Sequence, residues 1–165
     1  MRYPITLLSF FLILLLSVGC GNSKKARKEA TASVPGDFMV LMERMPCFGT
    51  CPAYNVQIDP DGKLTYTGVR HTERQGVWER QLSKDELNLL WQEVRRTGFF
   101  DLKEVYDDPN LADAPSIYVT VTASGKTHKV QDRLGAPQSL KQLEAYLDTL
   151  TTQPGFVFVK AYSEE

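Results

Sequence analysis

The sequence predicts an α+β fold: an antiparallel β-sheet of about six strands with two helices packed on one face, in the order ββββ-α-ββ-α. Short segments with alternating apolar and polar residues, separated by turn residues, indicate the strands. Two longer segments repeat apolar residues at helical spacing. Because the strands come in runs and do not alternate with helices, we do not expect a parallel α/β sheet.

Four strands are predicted before the first helix, at residues 38–45, 54–59, 63–70 and 76–82. In the second segment Tyr54, Val56 and Ile58 alternate with polar residues, which is typical of a strand with one buried face. Pro60 and Gly62 favour a tight turn after it, because proline fixes φ and glycine accepts a positive φ. The second and third strands are therefore expected to form a hairpin.

The first helix is indicated by Ser83 and Glu86, which have the spacing of a capping box, and Gly98 is expected to end it. Its apolar face comprises Leu87, Leu90, Trp91 and Val94. Residues 103–115 are predicted to be a loop, and residues 117–123 and 126–132 a second hairpin.

The second helix is predicted to begin near Pro137. It presents one apolar face formed by Leu140, Leu143, Leu147 and Leu150. The predicted domain spans residues 37–152, and residues 153–165 form either a tail or an edge strand.

The N-terminus has the layout of a secretory signal peptide over residues 1–19. Arg2 precedes an apolar run of about 14 residues, which is shorter than the roughly 20 residues of a membrane-spanning helix. An uncleaved membrane anchor is the alternative interpretation. Residues 20–36 lack apolar periodicity, which predicts a flexible tether.

The segment LSVGC, ending at Cys20, resembles the bacterial lipobox. The resemblance implies cleavage before Cys20 and a lipid anchor on its sulfur, so the expected partner is a membrane. Ser17-Val18-Gly19 also fits an ordinary signal peptidase site, which would leave Cys20 as a free thiol. Inner-membrane lipoproteins often have Asp directly after the lipidated cysteine, and surface-exported ones of some lineages have an acidic patch there. Gly21 and the basic residues after it fit neither pattern, so we expect an outer-membrane lipoprotein that faces the periplasm.

The three cysteines of the chain support a lipidated Cys20, because Cys47 and Cys51 then remain as a pair. In an extended strand their Cα atoms would lie about 13 Å apart, whereas a disulfide needs about 4.4 to 6.8 Å. Gly49 lets the chain curl between them. We therefore expect a structural disulfide in an oxidising envelope.

The alternative for this loop is copper binding or thiol redox chemistry. The C-x3-C-P spacing resembles the copper-binding loop of thioredoxin-related periplasmic copper chaperones, in which a distant histidine completes the site. His71 and His128 are the two histidines of the chain, and the alternative site comprises Cys47, Cys51 and His128. The leading expectation remains no metal and no cofactor.

Composition and motifs exclude several classes of function. The chain has 19 Lys and Arg against 20 Asp and Glu and a pI of about 6.1, so a nucleic-acid partner is not expected. It lacks the G-x-S-x-G, H-E-x-x-H and P-loop motifs. We therefore expect no enzymatic activity, although a free cysteine beside His71 or His128 would allow one.

The motif CFGTCPAY, from Cys47 to Tyr54, resembles the signature of a bacterial envelope domain family of unknown function, often preceded by a lipoprotein signal. The similarity extends from about Phe38 to Leu150 and implies no activity. Together these observations predict a non-catalytic lipoprotein facing the periplasm, which binds or scaffolds an envelope protein or a glycan.

Overall fold

The computed structural model describes residues 33–108, 110 and 114–163. The predicted signal peptide, Cys20 and the tether up to residue 32 lie outside these residues. None of the described helices is long and apolar enough to cross a membrane.

The described residues form an α+β domain with an eight-stranded mixed sheet and two α-helices. The strands are β1 (Met39–Arg44), β2 (Ala53–Ile58), β3 (Lys63–Arg70), β4 (Gly76–Gln81), β5 (Val105–Tyr106), β6 (Ile117–Ala123), β7 (Lys126–Asp132) and β8 (Val157–Lys160). Their order across the sheet is β5-β7-β6-β1-β2-β3-β4-β8. Neighbouring strands are antiparallel except for β5 and β7, which are parallel.

The helices are α1 (Lys84–Thr97) and α2 (Gln138–Thr152). Both ends of α1 and the start of α2 lie within one residue of the predicted positions. The Ser83 hydroxyl accepts a hydrogen bond from the Glu86 N–H at 3.2 Å, and the Glu86 carboxylate accepts one from the Ser83 N–H at 2.8 Å. Gly98 ends α1 with a left-handed φ of 65°. The capping box is therefore confirmed, while Pro137 lies one residue before α2.

One core lies between the helices and one face of the sheet. Alternate residues of the central strands are fully buried there, among them Val40, Met42, Val56, Ile58, Val119 and Val121. They pack in a single apolar cluster with both helices, including Leu90, Leu140, Leu143 and Leu147. The prediction that two helices cover one face is confirmed.

The number of strands and the parallel pair differ from the prediction. All six predicted strands are present, but β5 lies inside the predicted loop and β8 follows α2, so the order is ββββ-α-βββ-α-β. β5 pairs with β7 in parallel, and the Gln131 N–H donates to the Glu104 carbonyl at 2.8 Å. A strand of two residues is too short to show the alternation that identifies strands in a sequence.

The C-terminal segment Val157–Lys160 is an edge strand and not a tail, which settles the alternative that the sequence left open. It pairs with β4, and the ring of Phe158 lies 5.1 Å from that of Trp78. Phe156, just before the strand, packs against the core.

The chain enters the domain at the end of the sheet where β6 and β7 turn. The Asp37 carboxylate accepts hydrogen bonds from the N–H groups of Ser124 and Gly125, at 2.7 and 2.6 Å. β1 then runs across the sheet, and the loop that contains both cysteines follows at its far end.

Candidate binding site at the disulfide loop

Residues 45–52 connect β1 to β2 and contain a disulfide between Cys47 and Cys51. The two Cα atoms are 5.6 Å apart, so the chain curls between them as the spacing requires. Inside the ring the Gly49 N–H donates to the sulfur of Cys47 at 3.3 Å. At the base of the loop the Met45 N–H donates to the Ser116 carbonyl of the neighbouring chain segment at 3.0 Å. The loop is therefore held both covalently and by the sheet.

Phe48 projects from this loop into solvent, with 95% of its surface exposed. The next most exposed large apolar residue that the structure describes is Val157, at 68%. An aromatic ring in this position buries almost nothing within the domain, and aromatic side chains are enriched among the residues that dominate binding interfaces.

A pocket of about 680 Å³ lies beside the loop, and it is lined by residues 46–49, Arg70, His71 and Ala114. Its volume falls within the range of about 300 to 1,000 Å³ that is usual for ligand sites. The loop supplies an apolar wall with the disulfide, whereas Arg70 and His71 supply polar and basic groups. None of these lining residues is acidic.

Arg70 and His71 are placed by the end of β3 and the turn that follows it. Arg70 lies beside Ala53, which directly follows the loop. His71 has a left-handed φ of 55°, a conformation that costs a residue other than glycine about 1 kcal/mol or more. The turn folds back on Gly68, where a Cβ would lie only 1.8 Å from the Arg74 carbonyl oxygen. Gly68 is therefore required for the turn that carries His71.

Arg70 has no hydrogen bond, ion pair or ring contact within the described residues, whereas each of the other described arginines has at least one interaction. Residues with such partners or other contacts are Arg44, Arg74, Arg80, Arg95, Arg96 and Arg133. The positive charge of Arg70 therefore stands uncompensated at the pocket within the described part of the chain.

A polar cluster on the helix side of the sheet supports the two strands that carry the loop. Arg44 at the end of β1 and Tyr54 in β2 are neighbours in the register. Both bind Asp148 of α2: the Arg44 Nε donates to Oδ1 at 3.0 Å, its Nη2 donates to Oδ2, and the Tyr54 hydroxyl donates to Oδ1. Burial, followed by the hydrogen bond to Asp148, raises the pKa of the Tyr54 hydroxyl.

Two further acids of this cluster are almost completely buried, Asp132 in β7 and Glu144 in α2. The Lys141 ammonium lies 2.8 Å from Oδ2 of Asp132. Within the described residues, Oδ1 of Asp132 and Oε1 of Glu144 have no hydrogen-bond partner. Burial, and after it the negative charge of Asp132, raises the pKa of Glu144 to about 7, while Arg44 opposes the shift. Glu144 therefore exchanges its proton near neutral pH.

The structure does not bring His128 to the cysteines. His128 lies opposite Val121 in the β6–β7 hairpin, and its Nε2 is 3.0 Å from the Leu102 carbonyl oxygen. Val121 in turn neighbours Val40, which precedes Cys47 by seven residues, so His128 lies toward the far end of the sheet. His71 instead lines the pocket together with Cys47. Among the described residues, no group of three or more His, Cys, Asp or Glu side chains is arranged to hold a metal.

Sequence reasoning missed Arg44, Arg70 and Glu144. For two of them a signal existed, because Arg44 continues the inward alternation of Val40 and Met42, and Glu144 lies within the leucine face of α2. A charged residue at a position whose periodicity predicts burial marks a polar cluster. No comparable signal identified Arg70, which lies at an exposed strand end.

Comparison with known proteins identifies a family over most of this domain. Residues 39–151, more than half of the chain, match a family described as a domain of unknown function, DUF6438. No curated protein matches the sequence. The matched region begins with β1 and ends in α2, so it includes the disulfide loop, the pocket and the polar cluster. The chain therefore belongs to the DUF6438 family.

Proposed function

We propose that this protein is a non-catalytic binding module of the bacterial envelope, which holds its partner at the disulfide loop and the adjoining pocket. The observation that carries the proposal is Phe48, 95% exposed on a loop that a disulfide closes. A loop that is already constrained loses little conformational entropy on binding, so more of the contact energy contributes to affinity. The partner is an envelope protein or a glycan.

The state of the cysteines favours binding over catalysis. A nucleophilic or redox-active cysteine acts as a thiolate, and both sulfurs of the loop are joined in the disulfide. The nearby groups, Arg70 and His71, are suited to recognising a ligand through hydrogen bonds and charge.

The proposed anchor is a lipid on Cys20 after removal of residues 1–19, with residues 20–36 as the tether and the periplasmic face of the outer membrane as the location. This part of the proposal is supported by the signal-like N-terminus and the lipobox resemblance. The chain enters the domain at one end of β1 and the disulfide loop follows at the other end. Such an arrangement suits a loop that reaches a partner away from the point of attachment.

A second candidate function is copper or thiol-redox handling, and one observation favours it: His71 lines the same pocket as Cys47. After reduction of the disulfide, Cys47, Cys51 and His71 would offer the soft sulfur and nitrogen ligands that suit Cu(I). This version of the site uses His71 in place of His128. It requires that the disulfide be readily reduced in the envelope.

A photoreactive p-benzoylphenylalanine in place of Phe48, introduced in cells that make the full chain, tests the binding site. We expect ultraviolet light to produce an adduct of one discrete mass, whose partner is identified by mass spectrometry. The matched control places the same group at Leu89, which is 51% exposed on α1, and should give no adduct of that mass. A pattern identical at both positions, or no adduct at Phe48, would contradict the proposal.

Intact mass of the protein purified from envelopes tests the anchor and the second candidate together. We expect an acylated Cys20 and no alkylation of Cys47 or Cys51 until a strong reductant is added. An unacylated Cys20 refutes the anchor without affecting the binding site. Immediate alkylation of both loop cysteines, or bound copper that is lost with His71→Ala, would favour metal or redox handling.

A further inference from the structure

We propose that the pocket beside the disulfide loop binds a carboxylate carried next to an apolar group, as at the acidic side chain or C-terminus of a peptide, with Arg70 as the anion-binding residue. This inference rests on the proposed function, because it names the ligand class of the same pocket.

The uncompensated charge of Arg70 is the first argument. Arg70 lines the pocket, and within the described residues its guanidinium has no hydrogen-bonding or ionic partner. A guanidinium presents parallel N–H donors that match the two oxygens of a carboxylate. Glu73, the acidic residue nearest to Arg70 in the sequence, is not among the lining residues. Because Arg70 is exposed, its guanidinium is accessible to a carboxylate from outside the described domain.

The apolar residues of the lining supply the second argument. Pro46, Cys47 and Phe48 line the same pocket as Arg70 and His71. Burying an apolar group there would remove the Phe48 ring from water and add the hydrophobic contribution that a simple anion cannot provide. The ligand should therefore combine one anionic and one apolar group.

The amount of positive charge favours a carboxylate over a phosphate. Among the described residues that line the pocket, Arg70 is the one arginine and none is a lysine. A carboxylate carries a single negative charge, whereas a phosphate monoester carries about 1.5 to 2 at neutral pH. The His71 imidazole can donate or accept a hydrogen bond, and it lies beside Arg70 without a partner in the described residues.

The test is a titration of the full-length protein in detergent micelles, followed through backbone amide resonances. The probes are N-acetylphenylalanine and its amide, which differ only in the carboxylate. We expect the acid to shift the resonances of Cys47, Phe48, Gly49, Arg70 and His71 saturably, with an affinity about tenfold higher than that of the amide. Arg70→Gln should lower the affinity for the acid to that for the amide. Arg96→Gln, at an arginine of α1 paired with Glu93, is the matched control and should change neither value.

Equal affinities for the acid and the amide would overturn the carboxylate assignment. Inorganic phosphate bound more tightly than the acid, and lost with Arg70→Gln, would overturn it in favour of a phosphate group. If the photoreactive group at Phe48 captures its partner but the two probes bind equally, the proposed binding function is supported and the proposed carboxylate ligand is refuted. If capture and binding of both probes are absent, both proposals fail.

Discussion

Arg44 at the end of β1 and Asp148 in α2, 104 residues apart in the sequence, form a bidentate ion pair. The Arg44 Nε donates to one carboxylate oxygen of Asp148 and its Nη2 donates to the other. The Tyr54 hydroxyl donates to the same carboxylate. The two strands that lead into and out of the disulfide loop are thereby fixed to the helix that covers the sheet. The position of Phe48 depends on this attachment through the loop.

Asp148→Ala should destabilise the domain by about 2 kcal/mol, because it leaves a largely buried guanidinium and a hydroxyl without their partner. The pair is partly solvated, with side-chain exposures of 24% and 35%, so we expect less than the cost for a fully buried pair. Urea unfolding of the wild type, Asp148→Ala, Arg44→Met and the double variant measures the coupling. If the losses of unfolding free energy in the two single variants simply add up to the loss in the double variant, the interaction between Arg44 and Asp148 does not stabilise the fold.

Stability should fall as pH rises from about 4.5 to about 7, because of Glu144. Its pKa is raised in the folded protein, so folding favours the protonated carboxyl. The contribution of Glu144 to the free energy of unfolding is complete below its pKa in the unfolded chain. It is lost as the pH rises through its pKa in the folded protein. The expected loss is on the order of 2 to 3 kcal/mol.

Glu144→Gln should remove this dependence and be more stable than the wild type at pH 8, with little difference at pH 5. Urea midpoints at the two pH values measure the effect. Glu79→Gln, at a half-exposed position of β4, serves as the control and should retain the wild-type pH dependence. A wild type whose stability is the same at both values would refute the role of Glu144.

Replacement of both loop cysteines, Cys47→Ser with Cys51→Ser, should cost on the order of 2 kcal/mol, as expected for so small a ring. Far-ultraviolet circular dichroism should be unchanged, because the sheet does not depend on the loop for its core. Thermal unfolding measures the loss. We expect photocrosslinking from position 48 to fall by more than the loss of folded protein explains. Equal crosslinking with and without the disulfide would show that a preformed loop is not important for binding.

Gly68→Ala should destabilise the protein by about 1 to 3 kcal/mol, because the added methyl group must displace the Arg74 carbonyl. It should also move the amide resonance of His71 in the adjacent turn. Gly36→Ala is the matched control, because its Cβ would meet nothing within 4 Å. A Gly68→Ala variant as stable as the control would mean that the turn can move at no cost.

Features that depend on short stretches of chain were predictable from the sequence. The capping box at Ser83, the leucine face of α2 and the hairpin of residues 117–123 and 126–132 are all present. The curl of the cysteine loop follows from its own geometry. Strand β5 was not predictable, because its two residues become a strand only by pairing with β7.

The candidate site was only partly predictable for a similar reason. The loop motif drew attention to Cys47 and Cys51, but the pocket exists only where β3 brings Arg70 and His71 beside the loop. Whether an arginine finds a partner depends on side chains that the fold supplies from distant parts of the sequence. Charged residues in apolar patterns, such as Glu144, are the local sign of such a cluster.

The central position of β1 in the sheet has a consequence for the order in which the chain folds. β2, β3 and β4 pair in succession with nearby residues, whereas the other side of β1 pairs with β6, as between Met42 and Val119. During synthesis the N-terminal half can therefore assemble early, with β1 as an open, apolar edge until β6 is made. Such an edge can pair with other chains, so we expect chains that stop before β6 to aggregate. The pairing of β6 with β1 therefore comes long after the cysteine loop has been made, and β8 is the last strand to join the sheet, at β4.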